Sequence, residues 1–411
     1  MHKAGRFTAA LLLIGVGTAV IADKTMGTSW IPRLADWWPV LFITLGVEYI
    51  LYNRRGAEQP IRLDVGGLIF AVILSAVVVA GTQPSELFRN WDGFRLAESF
   101  VEDSDAKRVD KELMRIPLET SVETLTVENR LGSVKLQQGG SAQVEALLSV
   151  HVKGDDVTEA RQIADSSQLI VQTAGKSLVL KIARMEEKGL VWLENKPRVD
   201  LTLTLPSDHP LNVELALENG SIEAADLPLK QWMRGETTNG SITLTGVKGD
   251  LELRTSNGRV EAGNTQGTLT LQSTNGRIEV KEHNGDALLR TTNGKLSASS
   301  VTGSLEAVTT NGTIEAEEVS LGFKAHTTNG TIEASSEEVG GDWDIRTSNG
   351  KIKLGLPAEG DYRVESAGKH SRVESQLPFT VQDDTVQGVV GTGRHTVRLE
   401  TNGSVTLEEA H

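Results

Sequence analysis

The chain has 411 residues, no cysteine and a formal net charge of −14 at pH 7. This length allows more than one domain, the lack of cysteine excludes disulfides and cysteine-ligated metal sites, and the acidity argues against nucleic acid as a partner. The charge is uneven, because residues 1–84 carry seven basic and five acidic side chains, or +2, which leaves −16 for the rest. A basic, apolar N-terminal region and an acidic, polar body are expected to lie in different surroundings.

Residues 1–84 are interpreted as a membrane region with three transmembrane helices. The three apolar segments are residues 7–22, 37–52 and 63–81. Each is near the lower limit of the roughly 17–25 residues that a membrane-spanning helix needs. Trp37 and Trp38 suit a membrane interface, and the positive-inside rule places Lys3 and the arginine-rich loop at Arg54 in the cytoplasm. Three spans then put the rest of the chain outside, which predicts a multi-pass protein of the cell membrane with an extracellular body.

Alternatives remain open in this region. The first segment also fits a signal peptide that is cleaved near residues 20–22, which would leave two spans and still an external body. A buried soluble core is a further interpretation of the apolar runs. Glu48 lies within the second span, where a carboxylate is a candidate functional residue, although an ion pair with Arg54 or Arg55 is the simpler interpretation. Residues 85–115 are charged and lack strand alternation, so they are interpreted as a juxtamembrane linker.

The body begins with an irregular β region over residues 116–218. Strands are predicted near residues 169–171, 178–182 and 199–205, and one short helix over residues 155–166. The segment around Asn129 and Gly132 looks like a degenerate first copy of the repeat that follows. Such irregularity is typical of the capping end of a repeat array.

Residues 219–356 repeat an 18-residue unit that reads Thr/Ser-Asn-Gly-x-Ile-x-Ala, then a second glycine, then Leu-x-Leu. Apolar and polar residues alternate after each Asn-Gly pair, which is typical of a strand with one buried face. Two strands and two corners per unit predict a two-sheet parallel β-solenoid with about 18 residues per coil. The alternative is an antiparallel meander, because Asn-Gly is also a strong hairpin signal. Identical residues kept in register favour the parallel stack, and residues 357–411 are predicted to hold a last coil or C-terminal cap.

The fold class is therefore an all-β extracellular domain preceded by an α-helical transmembrane region. Its corners are predicted to form a structural ladder, because stacked asparagine amides bond to one another in cross-β assemblies and glycine adopts the positive φ of a tight corner. The ladder residues are Asn219, Asn239, Asn257, Asn275, Asn293, Asn311, Asn329, Asn349, Gly240, Gly258, Gly276, Gly294, Gly312, Gly330 and Gly350. A second ladder is expected from Thr255, Thr291, Thr309, Thr327 and Thr347.

The charged columns of the repeat do not resemble a catalytic site. The basic column comprises Arg259, Arg277 and Lys295, and the acidic column comprises Glu261, Glu279, Glu315 and Glu333. A catalytic carboxylate pair needs two different environments, whereas repetition makes the environments alike. The calcium-binding nonapeptide repeat needs Asp in each turn, and the histidines, among them His283 and His326, show no ligand spacing. No enzyme activity, metal or cofactor is therefore predicted.

The Thr-Asn-Gly-x-Ile-x-Ala units, the degenerate first copy and the closing segments at Gly391–Gly393 and residues 401–405 resemble the putative-adhesin β-strand-repeat family of bacterial surface proteins. This resemblance covers about residues 116–409. The N-terminal region, with Leu12-Leu13-Ile14-Gly15 and the run from Trp37 to Gly46, is similar to the membrane region of the Lia-type antibiotic-response proteins of Gram-positive bacteria. The resemblance implies a membrane-anchored envelope protein, and it offers no catalytic residues to carry over.

The favoured hypothesis is a membrane-anchored, non-enzymatic cell-surface β-repeat protein that acts as an adhesin-like module or an envelope scaffold. The alternative is a regulatory or sensory protein of the cell-envelope stress response, whose acidic body attracts cationic antimicrobial peptides. A polysaccharide-active enzyme would need a pocket with two converging carboxylates. Candidate partners are membrane lipid for the N-terminal helices, and wall polymer, a surface protein or a cationic peptide for the body. Self-association through the solenoid ends is open.

Overall fold

The computed structural model describes residues 3–4, 62–63, 106–153, 157–184, 197–367, 372–382 and 385–410. The chain divides into two compact units, Met1–Asp103 and Ser104–His411. In the first unit, strands β1 (Lys3–Ala4) and β2 (Arg62–Leu63) pair in parallel. The predicted spans, apart from Leu63, lie outside the described residues, and so does Glu48. Within the described part of the chain, no helix is both long and apolar enough to cross a membrane.

The second unit is a stack of coils, and each coil contributes one strand to each of two sheets. The strands of the first sheet, here called the odd face, are β9 (Ser177–Arg184), β5 (Thr124–Leu131), β11 (Leu211–Asn219), β13 (Pro228–Asn239), β15 (Lys248–Asn257), β17 (Leu269–Asn275), β19 (Ala287–Asn293), β21 (Leu305–Asn311), β23 (Phe323–Asn329), β25 (Trp343–Asn349), β31 (His395–Thr401) and β27 (Tyr362–Ala367), in stacking order. The strands of the second sheet, the even face, are β10 (Arg198–Pro206), β6 (Val134–Gly139), β12 (Ile222–Ala225), β14 (Ile242–Thr245), β16 (Val260–Gln266), β18 (Ile278–Asn284), β20 (Leu296–Val301), β22 (Ile314–Val319), β24 (Ile332–Ser335), β26 (Ile352–Leu356), β32 (Ser404–Glu409) and β28 (Arg372–Ser375).

Neighbouring coils pair in parallel and in register. Ile278 lies beside Leu296 on the even face, and Asn275 lies beside Asn293 on the odd face. The parallel β-solenoid is therefore confirmed, and the antiparallel meander is wrong for the repeat region. The physical reason is that parallel, in-register stacking puts each residue next to the equivalent residue of the next coil. The inward apolar residues of successive coils therefore form continuous buried columns.

The core is a set of apolar columns between the two faces. Strand β20 shows the pattern, because Leu296 and Ala298 are buried while Ser297 between them is partly exposed. Burying a side chain such as Leu296 stabilises the fold by about 1.5–3 kcal/mol. A third buried column lies at the ends of the even-face strands from β12 to β24 or just beyond them, at the corner that leads to the odd face. Its members are Leu227, Val247, Thr265, His283, Val301, Val319 and Val339.

The N-terminal end of the stack is closed by antiparallel strands. Strands β3 (Ala106–Asp110) and β4 (Met114–Ile116) pair with β7 (Val144–Lys153), which pairs with β10. Helix α1 (Val157–Ser166) lies in the predicted helical segment and leads into β8 (Ser167–Ala174), which pairs with β9. Residues 106–110 and 114–115 are thus sheet where the sequence indicates a linker. The residues between β3 and β4 interrupt the alternation of apolar and polar residues, so neither strand is predicted from the sequence pattern.

The C-terminal end does not follow chain order. Strands β31 and β32 form a coil that pairs directly with β25 and β26, while β27 and β28, which precede them in sequence, lie on its outer side. The hairpin of β29 (Thr380–Gln382) and β30 (Thr385–Val390) completes the cap by pairing with β27. Val397, Leu399, Val405 and Leu407 are buried in this coil, and they continue the apolar columns of the repeat.

Candidate functional site

The structure places the eight ladder asparagines in one row at the corner that follows the odd face. In seven of the eight, the side-chain Nδ2 donates to the Oδ1 of the asparagine in the preceding coil, at 2.8–3.0 Å, from Asn239 to Asn219 at one end and from Asn349 to Asn329 at the other. An interior asparagine such as Asn293 therefore makes two amide–amide bonds. Asn129 of the degenerate copy is not in this row. Leu131 pairs with Asn219 instead, while the buried Asn129 Nδ2 donates to the carbonyl oxygens of Gly132 and Val199.

Close stacking, rather than positive φ, explains the glycine that follows each ladder asparagine. The ladder glycines have no positive φ, which corrects that expectation. Instead, a Cβ added to Gly294 would lie 2.0 Å from the carbonyl oxygen of Gly276, well inside van der Waals contact. The Gly294 N–H donates to the carbonyl of Asn311 in the next coil at 3.1 Å. Positive φ occurs in the other corner, for example at Gly285, where φ is 138°.

The threonines do not form a ladder of their own, contrary to the sequence prediction. Each buried hydroxyl donates instead to the carbonyl of a glycine in the preceding coil, as Thr309 does to Gly294 at 3.4 Å and Thr347 to Gly330 at 3.1 Å. A ladder would require each hydroxyl to donate to the hydroxyl of the neighbouring coil. The glycine carbonyl of the preceding coil lies within hydrogen-bond distance and accepts the bond instead. The threonine hydroxyls thus supply a hydrogen-bond donor to corner carbonyls that burial separates from water.

A row of residues in the left-handed conformation, which the repeat pattern does not predict, lies at the end of the even face. It comprises Asp226, Gly246, Asn264, Glu282, Ser300 and Glu318, with φ between 49° and 67°. This conformation turns the next residue inward and so creates the third buried column. Asp, Asn and Gly favour it, but Glu and Ser do not. Half of the row therefore carries no sequence signal.

His283 occupies the third buried column and is 1 % exposed. Its Nδ1 lies 3.0 Å from the hydroxyl of Thr265, and its Nε2 lies 3.3 Å from the carbonyl oxygen of Asp286. Burial lowers the pKa of His283 below 6.5, with hydrogen bonds to the backbone opposing the shift. His326, in contrast, lies on the outer surface of the odd face between Val308 and Arg346.

Several outward carboxylates of the even face pair with basic side chains, whereas Glu333 and Arg277 of the predicted columns form no ion pair with the described residues. Glu261 pairs with Arg259 at 2.9 Å, Glu279 with Lys281 at 2.6 Å, and Glu315 with Lys295 of the preceding coil. The hydrogen bond from Lys281 lowers the pKa of Glu279. A carboxyl held in its charged form in this way is the opposite of a general acid.

The odd face carries an open groove of about 400 Å³. Two outward columns line it: one holds Arg254, Gln272 and Arg290, and the other holds Ser256, Thr274 and Thr292. The hydroxyl column continues in both directions through Thr238, Thr310, Thr328 and Ser348, one residue per coil. Arg254 pairs with Glu252 at 2.5 Å and Arg290 with Glu306 at 2.9 Å. The groove thus offers hydroxyl, amide and guanidinium hydrogen-bonding groups together with the Glu236 carboxylate, which precedes Arg254 in its column. Within the described residues no cluster of His, Asp and Glu is placed to hold a metal ion.

Residues 99–287 and 268–408 match the Toastrack DUF4097 family, and together these matches cover well over half of the chain. The chain belongs to the Toastrack DUF4097 family. The family assignment agrees with a body made of β-strand repeats. No curated protein matches the chain.

Similar solved structures share little sequence with the chain. A putative adhesin from Parabacteroides distasonis is 14 % identical, with 61 % of this chain and 98 % of that chain covered and a TM-score of 0.41. A putative adhesin from Bacteroides fragilis is 13 % identical, with 73 % of this chain and 97 % of that chain covered and a TM-score of 0.32. A putative cell adhesion protein from Clostridium sporogenes is 10 % identical, with 74 % of this chain and 99 % of that chain covered and a TM-score of 0.22.

Proposed function

We propose that the chain is a membrane-anchored, non-enzymatic cell-surface protein, adhesin-like or an envelope scaffold, whose odd face binds a hydroxyl-rich wall polymer. The observation that carries this proposal is the groove between the hydroxyl column and the Arg254–Gln272–Arg290 column. Its hydrogen-bonding groups recur with the coil, at about 4.8 Å along the axis.

A repeating surface suits a repeating ligand. A single small molecule would contact the hydroxyls of one or two coils, whereas an extended polymer can contact Ser256, Thr274 and Thr292 together with their equivalents on either side. Each contact is weak, but contacts along one chain act together, because the second contact forms at high effective concentration once the first is made.

The acid–base groups at the groove support binding rather than catalysis. Glu236 is the one carboxylate among the described residues that line the groove, so it has no second lining carboxylate to act with. Glu252 and Glu306, which do not line the groove, each pair with one of its arginines at 2.5–2.9 Å. A hydrolase needs one carboxyl held protonated and another charged at a fixed separation. Repetition of the same coil does not create that difference.

The anchor belongs to the proposal as well. The three apolar segments, the aromatic residues at their ends and the positive-inside rule support an N-terminal membrane region and an external body. The likeness of this region to Lia-type proteins supports a role in the response to envelope stress.

Binding to wall polymer can be tested by co-sedimentation of the purified full-length chain with insoluble wall polysaccharide freed of protein. Thr274→Glu/Thr292→Glu puts two carboxylates into the hydroxyl column, and should weaken binding about ten-fold or more, or about 1.4 kcal/mol. The matched control, Ser297→Glu/Ser299→Glu, makes the same charge change on the outward surface of the even face and should bind like the wild type. Equal loss in both variants, or no sedimentation of the wild type, would contradict the proposal.

A second candidate rests on charge. The −16 carried beyond residue 84 favours a sensory protein that attracts cationic peptides. Peptide binding that weakens steeply with salt and is equal in both double variants would favour this candidate over polymer recognition by the odd face.

A further inference from the structure

The ladder repeats a dipeptide that is chemically unstable in unfolded chains. In Asn-Gly, the glycine nitrogen can attack the side-chain carbonyl carbon of asparagine. The new C–N bond closes a five-membered imide, the C–Nδ2 bond breaks, and ammonia leaves with the proton from the glycine nitrogen. Water then opens the imide to aspartate or isoaspartate. The reaction requires a free glycine N–H and an asparagine side chain that can turn onto it.

Interior corners of the ladder meet neither requirement. The Asn293 side chain is held at both ends, by Asn275 and Asn311, and the N–H of Gly294 donates to the carbonyl of Asn311 at 3.1 Å. To react, such a corner must first open locally and break three hydrogen bonds.

The ladder stops at Asn349, because the next coil is one residue shorter. Thr401 pairs with Thr347, and Gly403 stacks on Gly350, where a Cβ on Gly403 would lie 1.7 Å from the Gly350 carbonyl oxygen. Two residues lie between Thr347 and Gly350, but only one lies between Thr401 and Gly403. Asn402 therefore does not continue the row of asparagines.

The missing residue leaves the Asn349–Gly350 corner less constrained than the others. Asn349 keeps its bond to Asn329 at 3.0 Å. Among the described residues, however, its Oδ1 accepts no hydrogen bond and the N–H of Gly350 finds no acceptor. Asn284 also precedes a glycine, but it lies in the other corner, where the Thr302 hydroxyl donates to its Oδ1 at 3.0 Å.

We propose that Asn349 is a site of spontaneous imide formation in the folded protein, and that the stack protects the interior ladder asparagines from the same reaction. Conversion replaces the Nδ2 donor with a carboxylate oxygen that faces the Asn329 Oδ1, so it breaks the last bond of the ladder and adds a negative charge. Isoaspartate also lengthens the backbone by one methylene, which the interrupted corner accommodates and an interior corner does not.

The chain supplies a matched control for this reaction. Trypsin releases Asn293 in residues 291–295 (TTNGK) and Asn349 in residues 347–351 (TSNGK), which differ by a single methyl group. The full-length protein is aged at mildly alkaline pH, once folded and once in denaturant, and both peptides are then quantified by mass spectrometry. In denaturant the two peptides should convert at the same rate. In the folded protein, Asn349 should convert about ten-fold or more faster than Asn293, because Asn293 needs local opening.

Two results would overturn the proposal. One is equal conversion of the two peptides in the folded protein. The other is a product at Asn349 that contains aspartate without isoaspartate, because direct hydrolysis of the side chain gives aspartate alone whereas the imide gives both.

Discussion

At the residue scale, His283 is the clearest departure from the repeat. Its column otherwise holds aliphatic residues and one threonine, and that threonine, Thr265, is its hydrogen-bond partner. Burial keeps the imidazole neutral in the folded protein, because the pKa of His283 lies below its ordinary value of 6.5. The unfolded chain binds a proton near pH 6.5, whereas the folded chain does so only at lower pH. This difference in protonation favours unfolding as the pH falls below 6.5.

The double substitution Thr265→Val/His283→Val should remove this dependence. It makes both positions like Val247 and Val301 in the same column and leaves no buried hydroxyl without a partner. The midpoint of urea unfolding, followed by β-sheet circular dichroism, should fall for the wild type between pH 7 and pH 5.5 and should fall less steeply for the variant. His326→Val on the exposed odd face is the control and should keep the wild-type slope. An unchanged slope in the double variant would rule out His283 as the source.

At the element scale, the regular coils could be predicted and the caps could not. Alternation at positions such as Ile278 and Val280 is local, so it indicates the inward face of each strand without further information. The caps depend on contacts between segments that are distant in sequence. Strands β31 and β32, for example, insert between the coil of β25 and β26 and the strands β27 and β28. The left-handed conformation of Glu282 and Glu318 could not be predicted from the sequence either, because the tertiary fold imposes a conformation that glutamate itself disfavours.

The asparagine row should stabilise the stack in proportion to the bonds each member makes. Asn293→Ala removes two amide–amide bonds and should lower the free energy of unfolding by about 1–2 kcal/mol. Asn219→Ala removes the single bond from Asn239 and should cost about half as much. Urea unfolding of the full chain measures both, and the neighbouring outward substitution Thr292→Ala should stay within about 0.5 kcal/mol of the wild type. Equal losses in the two asparagine variants would show that the bonds do not add along the row.

At the scale of the whole molecule, the division at residues 103 and 104 separates a nearly neutral N-terminal unit, with nine basic and ten acidic side chains, from a β body that carries the remaining −13 of the net charge of −14. A solenoid grows by adding coils without changing its cross-section, so it suits a protein that must extend a binding surface away from an anchor. The proposed function requires the β body to lie outside the cell. The positive-inside rule makes this requirement testable, because it assigns the arginine-rich loop to one side and the whole body to the other.

The absence of cysteine makes the side of each segment directly measurable. Ser256→Cys introduces one thiol on the hydroxyl column of the odd face, and Ala57→Cys introduces one in the loop that carries Arg54 and Arg55. In intact cells, a membrane-impermeant maleimide should label the first variant and not the second, and lysis should make both reactive. The mass of the mature chain then distinguishes three spans from a cleaved first segment, since both arrangements leave Ser256 outside. Labelling of Ala57→Cys in intact cells together with protection of Ser256→Cys would place the solenoid in the cytoplasm, where wall polymer cannot reach it.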